Sequence, residues 1–298
     1  MVSIKKRLIG TREYFYLQHT VRTPDGIQTR EKYLGARVPT DIEEVKRAFF
    51  IEIYKDRWYP LLDDIRSNYS KEQRRMPRSA AQKQVKSFSV RFTYDTNRIE
   101  GSKLTYQETA SLLERGLSPR SKPLDDIKEA EAHVRVLGEV LEYEKDLSFQ
   151  VILLWHKRLF EGTKPDIAGL IREHQVAISG SRFMPPMPSE IQPLLREFFR
   201  WYNRSKTSLH PVELAAAVHL KFVTIHPFTD GNGRISRLLM NFILQRHGFP
   251  PMNIPYSDRR SYYNALERSQ VKNVDSIFIQ WFFKRYLKEQ TVYARVEK

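Results

Sequence analysis

The sequence predicts a mainly α-helical protein with a small N-terminal β unit and a short β-hairpin flap. Three observations carry this. From Asp41 onward, apolar residues recur mostly at spacings of three and four, the period of one helix face. Ahead of that, "EYFYLQHTV" and "IQTREKYLG" flank "RTPDG", where Pro24, Asp25 and Gly26 make a strong turn signal. Between Gly169 and Pro188, "GLIREHQVAISGSRFMPPMP" breaks the helical period, with glycines and prolines around a β-like "QVAIS".

In chain order, a basic, Tyr-rich hairpin is expected from about Glu13 to Gly35, closed by Pro39. "DIEEVKRAFFIEIYKDRWYPLLDDIRSNY" reads as helix, and "SAAQKQVKSFSVRFTYDTNRIEG" as another that stops at Gly101. Thr105 and Glu108 have the spacing of a capping box, opening a short helix that ends near Gly116. "LDDIKEAEAHVRVLGEVLEYE" is a long amphipathic helix, and Ser148 can cap "FQVILLWHKRLFEG". After the flap, helices resume with "IQPLLREFFRWYNRS", "HPVELAAAVHLKFVTI" and "RISRLLMNFILQRHG". A Pro-rich loop follows, then "DRRSYYNALERSQ" and "VDSIFIQWFFKRYLKEQ". Three regions are expected: a β unit over 1–38, helices over 39–122, and a core over 123–298.

The 298 residues suffice for one large or two modest domains. Cysteine is absent, which excludes disulfides, thiolate metal sites and a Cys nucleophile. The start, "MVSIKKRLIG", lacks the apolar region of a signal peptide, and no apolar run is long enough to span a membrane. A soluble, cytoplasmic protein with no membrane partner is the expectation. The net charge of +15 favours acidic partners: nucleotide, nucleic acid or an acidic protein. The basic residues are spread along the chain, with short clusters such as Lys5-Lys6-Arg7. "RWY" at Arg57 and "QWFFKRY" at Gln280 read as core-facing helix residues with solvated charges, so nucleic acid is not the expected partner. His210, Glu213 and His219 lack metal-ligand spacing; His210-Pro211 reads as a helix start and His219 as packing or support.

The densest chemistry lies in "TIHPFTDGNGRISRLLMN", Thr224 to Asn241. Pro227 and the Asp-Gly-Asn-Gly run place a loop between two helices, the second starting near Asn232 or Arg234. Free N–H groups at that helix start, beside Gly231 and Gly233, form an anion pocket. Asn232 can add a side-chain donor. Arg234 and Arg237 share a helical face, and both can reach one polyphosphate. Asp230 is placed to hold Mg²⁺ beside bound phosphates. His226, neutral, can take a proton from an incoming hydroxyl. Together these make a phosphoryl or nucleotidyl transfer site.

The run "HPFTDGNGRISR", His226 to Arg237, resembles the signature of the Fic family at every fixed position. "AGLIREHQVAISGSRFMPP" is similar to that family's flap region, and "YYNALERSQ" with "VDSIFIQWFF" to the helices after the signature; the likeness spans roughly Asp125 to Leu287. The resemblance implies a Fic-type helical fold and an adenylyltransferase that moves AMP from ATP to a Ser, Thr or Tyr hydroxyl of a protein. His226 would be the general base, and Asp230 would hold Mg²⁺ on the α- and β-phosphates. Gly231, Asn232 and Gly233 would line the anion hole, and Arg234 would contact the phosphates. The flap near Ile178, Ser179 and Gly180 would clamp the target by strand addition. Tyr262 and Gln270 fall where relatives contact the adenine end. Related kinases of the Doc type carry Lys at the second glycine; here Gly233 is intact, which disfavours phosphate transfer. A C-terminal winged helix, common in the family, is not expected.

"TNRIEG", Thr96 to Gly101, resembles the family's inhibitory helix, Ser/Thr-x-x-x-Glu-Gly/Asn. An acid at a helix C-terminus opposes the dipole, which argues that Glu100 has a partner. The resemblance implies a bidentate pair with Arg237, which would otherwise bind the γ-phosphate. In some relatives the same glutamate supports removal of AMP. The expected activity is therefore Mg-ATP-dependent protein AMPylation restrained by Glu100, with deAMPylation and self-modification open. Rival readings are a nucleotide-sensing, nucleic-acid-binding regulator, or a transferase using another nucleotide. The β unit could recruit a target, supply an edge strand for a homodimer, or cap the helical core.

Overall fold

The computed structural model describes residues 2–23 and 26–294, which form two compact units, Met1–Asp63 and Asp64–Lys298.

The first unit is a three-stranded antiparallel sheet in the order β1-β2-β3: β1 Ser3–Ile9, β2 Arg12–Thr23 and β3 Gly26–Gly35. The expected hairpin corresponds to β2 and β3; its turn residues Pro24 and Asp25 lie outside the described residues. Strand β1 is an addition to the expectation. Its sequence, SIKKRLI, shows no apolar alternation and every residue is exposed, so ladder bonds to β2 hold it as a strand, with polar side-chain contacts such as Arg7 to Glu31 beside them. One face of β2 is buried through Leu17, His19 and Val21. His19 packs edge-on to Phe50, with ring centroids 5.2 Å apart, on the first turns of helix α1, Ile42–Arg75. The boundary between the units falls inside α1.

The second unit is helical. α2 Arg78–Ile99, α3 Tyr106–Arg115, α4 Leu124–Glu142 and α5 Phe149–Phe160 precede the flap segment. α6 Pro188–Ser205, α7 Pro211–Ile225, α8 Asn232–Arg246, α9 Arg259–Lys272, α10 Asp275–Glu289 and the short α11 Thr291–Ala294 follow it. The local signals operate as expected. Thr105 Oγ1 accepts the Glu108 N–H at 3.2 Å, and Glu108 Oε2 accepts the Thr105 N–H at 2.8 Å, closing the capping box. Gly116 ends α3 in the left-handed conformation, and Ser148 caps α5 through the Val151 N–H. His210 opens α7 by accepting the Val212 N–H on Nδ1.

Helices α7 and α8 are buried on nearly every side, from Val212 to Val223 and from Ile235 to Leu244. A helix apolar all round belongs in the middle of a helical domain, and these two pack on each other with α2, α4, α5, α6 and α10 around them. The loop between them therefore starts and ends on deeply buried helices.

The flap segment, after α5 and before α6, forms no ladder: among the described residues the strands are the N-terminal three. The buried Arg172 takes up its carbonyls instead. Its Nη1 donates to His174 O at 2.9 Å and its Nη2 to Pro186 O at 2.6 Å, and Gln175 Nε2 donates to Pro185 O at 2.8 Å. With those acceptors satisfied by side chains, the two arms need no backbone pairing to stay together. No helix among the described residues is long and apolar enough to cross a membrane.

Candidate active site

Helix α7 terminates at His226, whose backbone is left-handed with φ 52° and ψ 55°. A non-glycine residue rarely adopts this conformation, and here it turns the chain sharply into the loop. His226 Nδ1 lies 3.1 Å from the Val223 carbonyl oxygen. A carbonyl only accepts, so Nδ1 carries the ring proton and the free nitrogen of the neutral imidazole is Nε2. Burial lowers the His226 pKa and outweighs the opposing Val223 bond; nearby Arg172 pushes the same way as burial. The histidine is thus neutral at physiological pH. Arg172 also fixes it from behind, its Nε donating to His226 O at 2.8 Å and its backbone N–H to Pro227 O at 3.0 Å.

Asn232 departs from the expectation that its side chain donates to a bound anion. Its Oδ1 accepts the Phe228 N–H at 2.9 Å and its Nδ2 donates to Phe228 O at 2.8 Å. Oδ1 and one of the two Nδ2 hydrogens are thus used in closing the loop, and the Asn232 backbone stands at the start of α8 beside them. Gly231 precedes it with φ 82°, and a Cβ there would collide with the Phe160 ring. Gly233 has ordinary helical φ, but a Cβ would strike the Glu100 carboxylate and lie 3.0 Å from Arg237 Nη1. The two glycines are required for different reasons, one by backbone conformation and one by what packs against it.

The arginines also differ from the expectation of one shared target. Each is claimed by its own carboxylate. Arg234, 3% exposed, pairs with Glu129 Oε2 and reaches Asp230 Oδ1 at 3.4 Å, while its guanidinium lies 4.5 Å from the Phe160 centroid. Arg237, 1% exposed, pairs with Glu100: Nη2 donates to Oε1 at 2.5 Å. The same nitrogen donates to Thr96 O at 3.2 Å, and Nε to Thr96 Oγ1 at 2.5 Å. The fork is thus shared between Thr96 and Glu100 rather than closed bidentately on the carboxylate. Burial alone would lower the Arg237 pKa, but Glu100 overrides it and the guanidinium is held firmly charged. Gly101, with φ 101°, lets the chain leave α2 directly after Glu100.

Asp230 is 36% exposed and sits in a cluster of opposite charges. Lys164 Nζ lies 2.6 Å from Oδ2 and 3.2 Å from Glu129 Oε1. The Gly231 N–H donates to Oδ1 at 2.6 Å. Burial would raise the Asp230 pKa, but Arg234, Lys164 and that N–H together bring it below the ordinary value, so the carboxylate is ionised. A single ionised carboxylate at the start of α8 has the chemistry to hold Mg²⁺, which keeps several waters and needs few protein ligands. Among the described residues no group of three or more His, Asp or Glu converges as a protein-only cage. His156 anchors the loop from α5: it receives the Gly169 N–H on Nδ1 at 2.9 Å, donates from Nε2 to Asp230 O at 3.0 Å, and stacks on Phe228 at 3.8 Å.

A cavity of about 460 Å³ opens over this loop. His226, Gly233, Glu100, Gly101 and Arg237 line it, as do Ile178, Ser179 and Gly180 of the flap and Tyr262 and Gln270 of α9. Sequence-expected residues from four separated segments thus meet at one cavity. Tyr262 is buried, with its hydroxyl 2.9 Å from His219 Nε2 and 3.4 Å from Arg237 Nη1. Gln270 Nε2 donates to Thr224 Oγ1 at 3.1 Å. Glu129, Lys164, His156 and Arg172 were not singled out from the sequence. Each lies far from the signature in the chain, and an ordinary Glu, Lys, His or Arg in a helix or loop carries no local signal of its partner.

Residues 146–244 match the Fic/DOC family. Over that segment the chain is similar to Fic/DOC proteins. Protein adenylyltransferase Fic of Drosophila melanogaster is 38% identical over 178 residues, covering 58% of this chain and 36% of that protein. The chain therefore spans about a third of the length of such curated relatives. Among solved structures, a Fic domain containing signaling protein from Bacteroides thetaiotaomicron shares a TM-score of 0.69 at 29% identity, covering 78% of this chain and 95% of its own. Fic-1 from C. elegans also gives 0.69, at 27% identity, covering 88% of this chain and 79% of its own. The mainly helical architecture and the resemblance carried by His226 to Arg237 agree with these Fic relatives.

Proposed function

We propose that the chain is a protein adenylyltransferase that moves AMP from Mg-ATP to a Ser, Thr or Tyr hydroxyl of a protein and is restrained by Glu100. The observation that carries this is the neutral His226, Nδ1 bound to Val223 and Nε2 free, on a cavity shared with Gly233 and Arg237. The name of the Drosophila relatives, protein adenylyltransferase Fic, supports AMP as the transferred group.

In this reading the target oxygen attacks the α-phosphorus of ATP, and its proton passes to His226 Nε2. A new oxygen–phosphorus bond forms, the bond from the α-phosphorus to the bridging β-phosphate oxygen breaks, and pyrophosphate leaves. Backbone N–H groups at Asn232 and Gly233, at the start of α8, offset the charge that builds on the α-phosphate. Asp230 would hold Mg²⁺, which supplies further neutralisation of the phosphates when bound. Tyr262 and Gln270 take the base end, and residues 178–180 hold the target's backbone.

The restraint is a competition. Arg237 is available to a γ-phosphate only when Glu100 releases it, and the Glu100 carboxylate also fills the space that a Cβ at Gly233 would enter, where phosphate would approach. The test uses Glu100→Gly with ATP labelled at either the α- or the γ-phosphate. Protein-bound label from α-labelled ATP alone is the expected result. Label from γ-labelled ATP would replace AMP transfer by phosphoryl transfer, and label from neither, with a broad set of protein targets present, would remove the transferase reading. Intact mass of the same variant after incubation with Mg-ATP shows whether the chain modifies itself.

A further inference from the structure

Lys164 plays no part in the mechanism above, yet its ammonium is bonded to the residue assigned to the metal. The turn after α5 fixes its backbone, with the Lys164 N–H donating to Phe160 O at 2.7 Å and its carbonyl accepting from Ile167 N at 3.2 Å. From there Nζ reaches Asp230 Oδ2 at 2.6 Å and Glu129 Oε1 at 3.2 Å. The other Asp230 oxygen is taken by the Gly231 N–H and, more distantly, by Arg234.

We infer that Lys164 is a resident cation on Asp230, which a divalent ion must displace, so that this lysine sets the Mg²⁺ concentration at which the site loads. The inference rests on the assignment of Asp230 to the metal. A divalent ion on Oδ2 and an ammonium at 2.6 Å from the same oxygen cannot coexist without strong repulsion. Glu129 gives the displaced ammonium somewhere to go. It already accepts Lys164 and Arg234, and Thr163 Oγ1 donates to it at 3.3 Å. Displacement is therefore a short swing of a side chain that is 38% exposed, from two acceptors to one. Loading is then graded by metal concentration without any backbone rearrangement.

The test is direct metal binding, measured on the full chain with Mn²⁺ as a paramagnetic substitute for Mg²⁺ and a non-hydrolysable ATP analogue, in a Glu100→Gly background. Lys164→Met keeps an unbranched side chain and removes the ammonium, which lies 5.2 Å from the Phe160 ring centroid. It is expected to tighten Mn²⁺ binding by about twofold to fivefold, as loss of one partly exposed competitor implies. Lys164→Arg is expected to bind Mn²⁺ like the parent. Unchanged or weaker Mn²⁺ binding in Lys164→Met would overturn the inference and make Lys164 a structural partner or a phosphate ligand. Asp230→Asn is the control for the assignment beneath it. If Asp230→Asn binds Mn²⁺ as tightly as its parent, the metal does not sit on Asp230, and the inference falls with that assignment. If Asp230→Asn loses Mn²⁺ while Lys164→Met gains nothing, only the inference about Lys164 falls.

Discussion

Arg237 and Glu100, 137 positions apart in the chain, meet through an N–H···O bond of 2.5 Å. The arginine end is buried and the glutamate end is a quarter exposed. Removing the partner of a buried charge is destabilising, by about 3–5 kcal/mol when nothing replaces it. Here Thr96 still accepts two Arg237 bonds, so Glu100→Gly is expected to lose less, on the order of 2 kcal/mol. ATP should restore more thermal stability to this variant than to wild type, because its γ-phosphate supplies the missing anion. Equal shifts in melting temperature for both proteins would contradict the competition.

Thr96 is the second holder of Arg237. In Thr96→Val the Nε donor loses its acceptor inside a fully buried site, while the side-chain volume hardly changes. A loss of about 1–3 kcal/mol in denaturant unfolding is expected, the desolvation penalty of an orphaned donor. A change under about 0.5 kcal/mol would mean that the Nε contact carries little energy.

The two signature glycines should behave differently. Gly231→Ala places a Cβ into the Phe160 ring on a left-handed backbone, and a loss of at least ~2 kcal/mol is expected. Gly233→Ala has normal backbone and meets a movable carboxylate, so its fold should tolerate it, while nucleotide binding falls because the Cβ stands where phosphate approaches. Calorimetric binding of an ATP analogue alongside thermal melts separates the two outcomes.

The buried histidines set the acid limit of stability. His156 is pushed down to about 4, first by burial, and burial also lowers His133 and His219. Their folded pKa values lie below the unfolded value near 6.5, so the unfolded chain binds more protons in that window and stability falls as pH falls through it. For His156 the window runs from about 6.5 to about 4, and the loss is on the order of 3 kcal/mol. His156→Gln should flatten that part of the profile. The transfer rate of the Glu100→Gly variant follows His226 in the same sense. It should rise with pH through a value below 6.5 and be level at neutral pH, because the base acts only when unprotonated.

The signature loop was legible because its chemistry is written in consecutive residues. Pro227 and the glycines announce a loop, and His226, Asp230 and Arg237 announce its use. Glu100 was legible only through its own short motif and the unfavourable place of an acid at a helix end. Glu129, Lys164 and Arg172 were not legible, since each draws its meaning from a partner on another element. Lys164 follows Thr163 in an unremarkable turn, and nothing local says that Asp230 lies 2.6 Å away. The loop-closing role of Asn232 was not legible for a related reason. A polar side chain between two glycines invites a ligand role, but its acceptor and one of its two donor hydrogens bond the Phe228 backbone. The flap's missing ladder also follows from a tertiary substitution, Arg172 in place of strand pairing, and β1 was not legible because an exposed strand with Lys5, Lys6 and Arg7 at its centre carries no apolar alternation.

The central claim is that His226 performs the transfer and Glu100 restrains it. The most direct measurement compares protein-bound label from α-labelled ATP in wild type, Glu100→Gly and Glu100→Gly/His226→Ala. The account predicts little label in wild type, at least tenfold more in the single variant, and return to background in the double. Equal labelling in the single and double variants would contradict the role of His226, and no gain from wild type to the single variant would contradict the role of Glu100.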